Sequence, residues 1–314
     1  MKLPLGILWF GGSSNLDVLP RHAHGPSEQV VGGRLFIEGI DCLSARDVYT
    51  GRVLWKTMLR DFDSYGVYYD KTYKDNPTST EYNQVHIPGS NIRGTNFVAA
   101  DDRVYAIQRD GCHVLDPGTG KTLSVFTFPP DTTKAKGYVP EWGYIGVYKD
   151  FLIAGKDFVP FADILMKKKG EYSPQEDFDR SASRSLLVLN RFNGKVLWQI
   201  DSDIGFLHNG AAVGNGRIFV LDAYPPYIED ILSRRGKTLP SSGRLLSLDI
   251  TTGKPAWEDK KNVFGSFLAY SEEHDILIQS MRPTSDMVLG ETGKRLRAVN
   301  SCVRPCWTWT AACE

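Results

Sequence analysis

Four times along the chain an apolar run ends in the same short phrase: Asp47-Val-Tyr-Thr-Gly51-Arg-Val-Leu-Trp55, Asp116-Pro-Gly-Thr-Gly120-Lys-Thr-Leu-Ser124, Asn190-Arg-Phe-Asn-Gly194-Lys-Val-Leu-Trp198 and Asp249-Ile-Thr-Thr-Gly253-Lys-Pro-Ala-Trp257. An Asp or Asn leads each copy, a Gly follows four residues later, and a Trp stands eight residues on, replaced by Ser124 in the second copy. Recurrence in one register means one structural unit used repeatedly, so the repeat constrains the fold before any single residue does. The glycines lie 69, 74 and 59 residues apart, a spacing that suits a four-stranded blade carrying loop insertions.

Two strand-like runs joined by a tight polar turn precede each phrase. Examples are Leu35-Phe-Ile-Glu after Gly32-Gly-Arg, and Ile218-Phe-Val-Leu after Gly214-Asn-Gly-Arg. Short β-branched and aromatic runs bounded by Gly, Asp and Asn read as hairpins. Each unit is then strand A, turn, strand B, loop, strand C ending at the Asp or Asn, the Gly turn, and strand D with its Trp. The expected fold is all-β, a propeller of four-stranded antiparallel blades spanning 1–314 as one domain. Blade 1 covers about 22–58, blade 2 about 91–128, blade 3 about 141–201, blade 4 about 206–259 and blade 5 about 263–300.

The fifth blade is expected to be incomplete, because the phrase fails after Asn300. The stretch 301–314 instead holds three of the five cysteines and two of the seven tryptophans, and reads as an atypical tail of a truncated or out-of-frame end. Gly6-Ile-Leu-Trp-Phe10 looks like an isolated strand D. Either it closes a five-bladed ring, or the chain is an arc of a larger ring of about seven or eight blades, which is the expectation taken here.

Thirty-seven basic residues balance thirty-seven acidic ones, so no global field gathers nucleic acid, and none is expected as a partner. No stretch approaches the ~20 apolar residues of a membrane span. The start has one Lys and a short apolar run without a small-residue cleavage site, and is not read as a signal peptide. Cys42 and Cys112 read as buried free thiols on an inner strand; Cys302, Cys306 and Cys313 match no common zinc spacing.

The phrase Asp-x-x-Thr-Gly-Lys-x-x-Trp resembles the tryptophan-docking motif of the pyrroloquinoline-quinone (PQQ)-like β-propeller repeat family. Quinoprotein alcohol dehydrogenases and the non-enzymatic propeller of the outer-membrane assembly lipoprotein belong to that family. The resemblance covers about residues 5 to 300 and is strong at the four phrases. The sequence also looks like the large bacterial multi-repeat propeller proteins of unestablished activity, the nearest match. The resemblance implies structural roles for Gly51, Trp55, Gly120, Gly194, Trp198, Gly253 and Trp257. The tryptophans are expected to stack against neighbouring blades near Gly51, Gly194 and Gly253, and Ser124 should leave the blade-two junction looser. It implies a periplasmic or other extracytoplasmic setting. As enzymes, the quinoproteins use a vicinal disulfide, a calcium ion and PQQ. Here no two cysteines are adjacent and no acidic cluster has calcium-loop spacing.

In an A-to-D meander the A–B and C–D turns share one face, and the long loops fall on the other. Those loops are the Tyr-rich 61–90, the stretch 157–184 and the stretch 224–243, where 227–234 reads as a short helix. Long loops on a rigid scaffold carry binding. Polar residues recur where each innermost strand begins on that side: Arg21, His22, His24, Asn91, Arg93, Asn96, Trp142, His208 and Asn209. These are the candidate ligand-binding residues of a channel mouth. His22, His24 and His208 are also weak candidates for zinc or copper, since imidazole suits those metals. No nucleophile–base constellation stands out and catalytic residues stay unassigned. The sequence thus supports a non-catalytic binding or scaffold propeller meeting a protein or small polar ligand on its long-loop face. The alternative is a PQQ- or metal-dependent oxidoreductase with part of its site in further blades.

Overall fold

The computed structural model describes residues 28–39, 41–60, 62, 94–130, 134–161, 180–280, 295–300 and 308–310. The chain forms two compact units, residues 1–147 and 148–314. It is all-β, of the propeller type, with four-stranded antiparallel sheets built by consecutive strands.

In the first unit, β1 (Gln29–Val31), β2 (Arg34–Gly39), β3 (Cys42–Asp47) and β4 (Val53–Met58) make one meander. A second comprises β5 (Phe97–Ala99), β6 (Val104–Gln108), β7 (Gly111–Leu115) and β8 (Thr122–Thr127). The unit ends within β9 (Trp142–Tyr148). Phe36, Leu43, Ala45 and Trp55 of the first meander pack with Phe97, Val104, Ala106 and Leu115 of the second. Burying each large apolar side chain contributes about 1.5–3 kcal/mol.

The repeat phrase is a turn that satisfies its own backbone. Asp47 Oδ1 accepts the N–H groups of Tyr49 and Thr50 at 3.0 and 2.8 Å and the Thr50 hydroxyl at 2.9 Å, while the Gly51 N–H donates to the Asp47 carbonyl at 2.8 Å. Asp116 and Asp249 repeat this pattern with Thr119 and Thr252. Asn190 Oδ1 takes the N–H groups of Phe192 and Asn193. A side-chain oxygen reaching its own backbone two and three residues on is why the position demands Asp or Asn. The Thr50 N–H and then its hydroxyl hold Asp47 below the usual carboxylate range. The Thr119 and Thr252 hydroxyls, then their N–H groups, do the same for Asp116 and Asp249.

The second and fourth phrases also meet the Trp of the repeat before them. The Trp55 indole N–H donates to the Pro117 carbonyl at 2.9 Å, and a Cβ on Gly120 would stand 2.5 Å from Trp55 Cε3. In the second unit Trp198 donates to the Ile250 carbonyl at 2.7 Å, and a Cβ on Gly253 would stand 2.6 Å from Trp198 Cδ2. The sequence reading put Trp55 near Gly51 of its own phrase; the glycine it covers is Gly120 of the next one. The indole needs a residue without a side chain, in a left-handed turn where glycine is also unstrained.

The second unit contains β10 (Phe151–Phe158), β11 (Ala182–Asn190), β12 (Val196–Gly214), β13 (Arg217–Asp222), β14 (Arg244–Asp249) and β15 (Pro255–Asp259) in one sheet, each paired antiparallel to the next. A break between blades 3 and 4 near 201–206 is expected from sequence, yet β12 runs through it. The 19-residue strand bends at register shifts instead, between Phe206 and Ala211 on one side and opposite Ser183 and Ser185 on the other. Helix α1 (Pro226–Arg234) lies in the 224–243 loop and buries Ile228 and Leu232 with Phe219, Leu221, Leu245 and Leu277.

A further meander follows: β16 (Phe267–Ser271), β17 (Ile276–Ser280), β18 (Arg295–Asn300) and β19 (Thr308–Thr310). The fifth repeat, expected to be incomplete, therefore has a fourth strand drawn from the tail, with Leu296 opposite Trp309. Thr-Trp-Thr is β-branched and aromatic, and pairing with β18 requires neither the Gly turn nor the docking Trp. Cys42 and Cys112 are buried and in no disulfide, on β3 and β7, each of which lies between two other strands of its sheet. Burial pushes the Cys112 thiol strongly up.

Candidate functional site

The third repeat carries an unusual concentration of polar side chains on one face of β10 and β11. Across these strands Lys156 stands opposite Ser185 and Phe158 opposite Ser183, so all four share a face. Ala182, on the alternate side, packs into the apolar core with Val159, Phe161 and Leu207. The serines at 181, 183 and 185 thus form a stripe of hydroxyls, with the buried Ala182 and the exposed Arg184 on the other side.

Most of this stripe is engaged. Ser183 Oγ and His208 Nε2 lie 2.8 Å apart, both buried, and the His208 ring meets Phe158 edge-on at 5.9 Å. The Arg180 guanidinium sits 5.5 Å from the Phe158 ring centroid, within cation–π range. Ser185 donates to Asp201 Oδ1 at 2.7 Å, and Gln199 Nε2 donates to the same oxygen at 3.0 Å. Two groups stand apart. Lys156 retains only 7% exposure and makes no hydrogen bond or ion pair with any described residue. Ser181 retains 3%, and its hydroxyl has no partner among the described residues.

A second polar centre fixes the bend of β12. The Asp222 carboxylate, fully buried, accepts the successive N–H groups of Asp203, Ile204 and Gly205 at 2.8, 2.9 and 2.8 Å. Arg244 Nε donates to it at 2.8 Å and reaches Asp203 and Glu258 through Nη1. Four donors compensate the buried charge, so this centre is structural. At the opposite, short-turn end of the unit, Glu272 accepts the Asn215 N–H and the Tyr148 hydroxyl, each at 2.8 Å, and in that order they hold its carboxyl low. The Tyr270 ring packs against Gly214, where a Cβ would collide with it.

Of the residues expected at a channel mouth, Arg21, His22, His24, Asn91 and Arg93 lie outside the described residues. Asn96 is buried and donates to Glu38 Oε1 at 3.0 Å. Trp142 is buried, stacked on Phe128 at 3.9 Å, with its N–H given to the Asp110 carbonyl at 3.0 Å. His208 and Asn209 are neighbours on β12, and His208 joins the stripe. No three His, Cys, Asp or Glu side chains are arranged to hold a metal ion among the described residues. Lys156, Ser181, Ser183, Ser185 and Asp201 were not singled out from sequence. Their signal was there: alternating serines in Ser181-Ala-Ser183-Arg-Ser185, and a Lys following the apolar run Phe151-Leu-Ile-Ala-Gly155.

Among solved structures, the quinohemoprotein alcohol dehydrogenase of Comamonas testosteroni aligns over 95% of this chain and 44% of its own, at 13% identity and TM-score 0.51. The likeness is one of fold, the β-propeller. BamB of Moraxella catarrhalis aligns over 90% of this chain and 62% of its own, at 14% identity and TM-score 0.45. The Pan2 WD40 domain of Neurospora crassa aligns over 91% and 67%, at 8% identity and TM-score 0.46. The chain thus spans less than two thirds of the length of the first two. No family model matches the sequence, and no curated protein matches it closely enough to count as a relative. No helix among the described residues is long and apolar enough to cross a membrane.

Proposed function

We propose that this chain is a non-catalytic binding propeller that recognises a small polar ligand through the third repeat. The observation that carries this reading is the polar stripe, where the Ser181 hydroxyl stands buried without a partner among the described residues and the Ser183–His208 pair is buried on the same strand system. Burying a polar group without a hydrogen bond is costly, and a polar ligand would complete such a site. The repeat phrases support the same reading, because their carboxylates and the indoles of Trp55 and Trp198 are engaged in turns and in packing between repeats. His208 and Asn209 in the second unit, and separately Arg21, His22, His24, Asn91, Arg93, Asn96 and Trp142 in the first, remain proposed ligand contacts on the long-loop side of their own unit. Further blades supplied by a longer polypeptide belong to this proposal too.

The rival is a quinoprotein-type dehydrogenase, and one experiment separates the two. The protein is incubated with PQQ and Ca²⁺, and dye-linked oxidation of primary alcohols is followed. The expected result is no turnover above the cofactor blank. Sustained PQQ-dependent dye reduction that scales with protein would sink the binding reading.

A further inference from the structure

We infer that β8 (Thr122–Thr127) is a docking edge for an extended, uncharged segment of a partner protein, which adds to the second repeat as a fifth strand. This goes beyond the small-ligand reading above and does not rest on it.

The edge is open. β8 ends the sheet β5-β6-β7-β8 and pairs with β7 alone, so the N–H and C=O groups along its outer side have no partner among the described residues. Phe126, opposite Cys112, is buried, whereas Val125, opposite His113, is 48% exposed and Leu123 is 53% exposed.

Charge decides what can pair there. The strands after the other three phrases each carry a charge that discourages pairing: Lys56 in β4, Asp201 in β12, and Glu258 and Asp259 in β15. β8 reads Thr-Leu-Ser-Val-Phe-Thr, apolar and β-branched, with no charge, Pro or Gly. A charge laid beside Leu123 and Val125 would lose water without gaining a counter-ion, so the matching strand is uncharged and apolar where it meets them.

Length decides between a peptide segment and a second copy of the chain. Six residues span about 20 Å at ~3.3 Å per residue, and Pro129 and Pro130, lacking N–H groups, end the edge beyond Phe128. A strip of that length and about 10 Å deep offers roughly 200 Å², far below the ~800 Å² per partner of a stable interface between globular subunits. An extended segment makes main-chain hydrogen bonds along the whole strip, which is how edge-strand recognition obtains its affinity.

The test titrates the full chain into a fluorescent peptide of the strand's own sequence, Lys121-Thr-Leu-Ser-Val-Phe-Thr-Phe128, and follows anisotropy. Saturable binding is expected. Val125→Lys should weaken it about tenfold or more, while Leu54→Lys on the already charged β4 leaves it unchanged. Two peptides N-methylated at alternate residues in opposite phase should differ, because only one set of N–H groups in an added strand faces β8. No saturable binding, full binding by Val125→Lys, or equal binding of the two N-methylated peptides overturns the proposal. So does a concentration-dependent dimer of the full chain that Val125→Lys abolishes, since the edge then belongs to a second copy. Should Val125→Lys fail to fold, Leu123→Lys carries the test: the same loss is expected, and an unchanged affinity counts against the site.

Discussion

Gly253→Ala and Gly216→Ala place the same methyl group on two glycines that differ in what stands above them. Both have positive φ, +70° at Gly253 and +73° at Gly216. An alanine in either therefore costs about 1–2 kcal/mol of backbone strain. At Gly216 nothing lies within 4 Å of the added Cβ, so strain is the whole effect. At Gly253 the Cβ would stand 2.6 Å from Trp198 Cδ2 and 2.7 Å from Cε3, and the indole must lift. Lifting it lengthens the 2.7 Å bond to the Ile250 carbonyl, worth about 0.5–1.5 kcal/mol, and uncovers part of an aromatic surface worth a further ~1–2 kcal/mol. The expected loss is about 1–2 kcal/mol for Gly216→Ala and about 3–5 kcal/mol for Gly253→Ala. Urea denaturation followed by Trp fluorescence measures both. In a Trp198→Ala background the extra cost at Gly253 should vanish, leaving only the strain. Equal losses for the two variants, or an undiminished Gly253 effect without Trp198, would refute glycine as the seat of the indole.

Asp222→Asn keeps the shape but removes the charge from three N–H donors and Arg244, so it should cost about 2–4 kcal/mol by chemical denaturation. The turn carboxylates Asp47, Asp116 and Asp249 have lowered folded pKa values, so the unfolded chain binds more protons at acid pH. Their stabilisation is complete above the unfolded carboxylate pKa of about 4 and is lost as pH falls through the folded values. Urea midpoints measured from pH 6 to pH 2 should show the decline, and Asp249→Asn should flatten it, since Asn190 fills the same turn without a charge. Cys42 and Cys112 should resist iodoacetamide at pH 8 until the chain is unfolded, as peptide mass mapping can show; rapid native labelling of either would contradict their burial.

The fold was legible because the phrase repeats a local mechanism. Asp or Asn before a Gly turn is readable wherever it stands, and the strand runs before it alternate with turn residues. What was not legible is what depends on a partner distant in sequence. That Trp55 covers Gly120 rather than Gly51 is a tertiary fact, 65 residues away in the chain. The continuity of β12 was hidden because Asp222, its organiser, lies some twenty residues downstream of the bend. The tail's strand at Thr308–Thr310 was not legible for the opposite reason: it carries no repeat phrase, and the edge of β18 suffices to pair it. The site was half legible: His208 was visible as a lone imidazole, while Lys156 emerges only when β10 is laid beside β11.

The unbroken β12 ties two repeats into one mechanical element. In most repeat arrays each unit can fray or be lost with limited injury to the next. Here the outer strand of the third repeat and the first strand of the fourth are the same 19 residues, pinned at the bend by a buried carboxylate. Opening one repeat therefore pulls on the other, and the pair should exchange amide hydrogens as a single cooperative block. A chain cut or permuted between residues 203 and 206 would sever the joint on which that cooperativity depends.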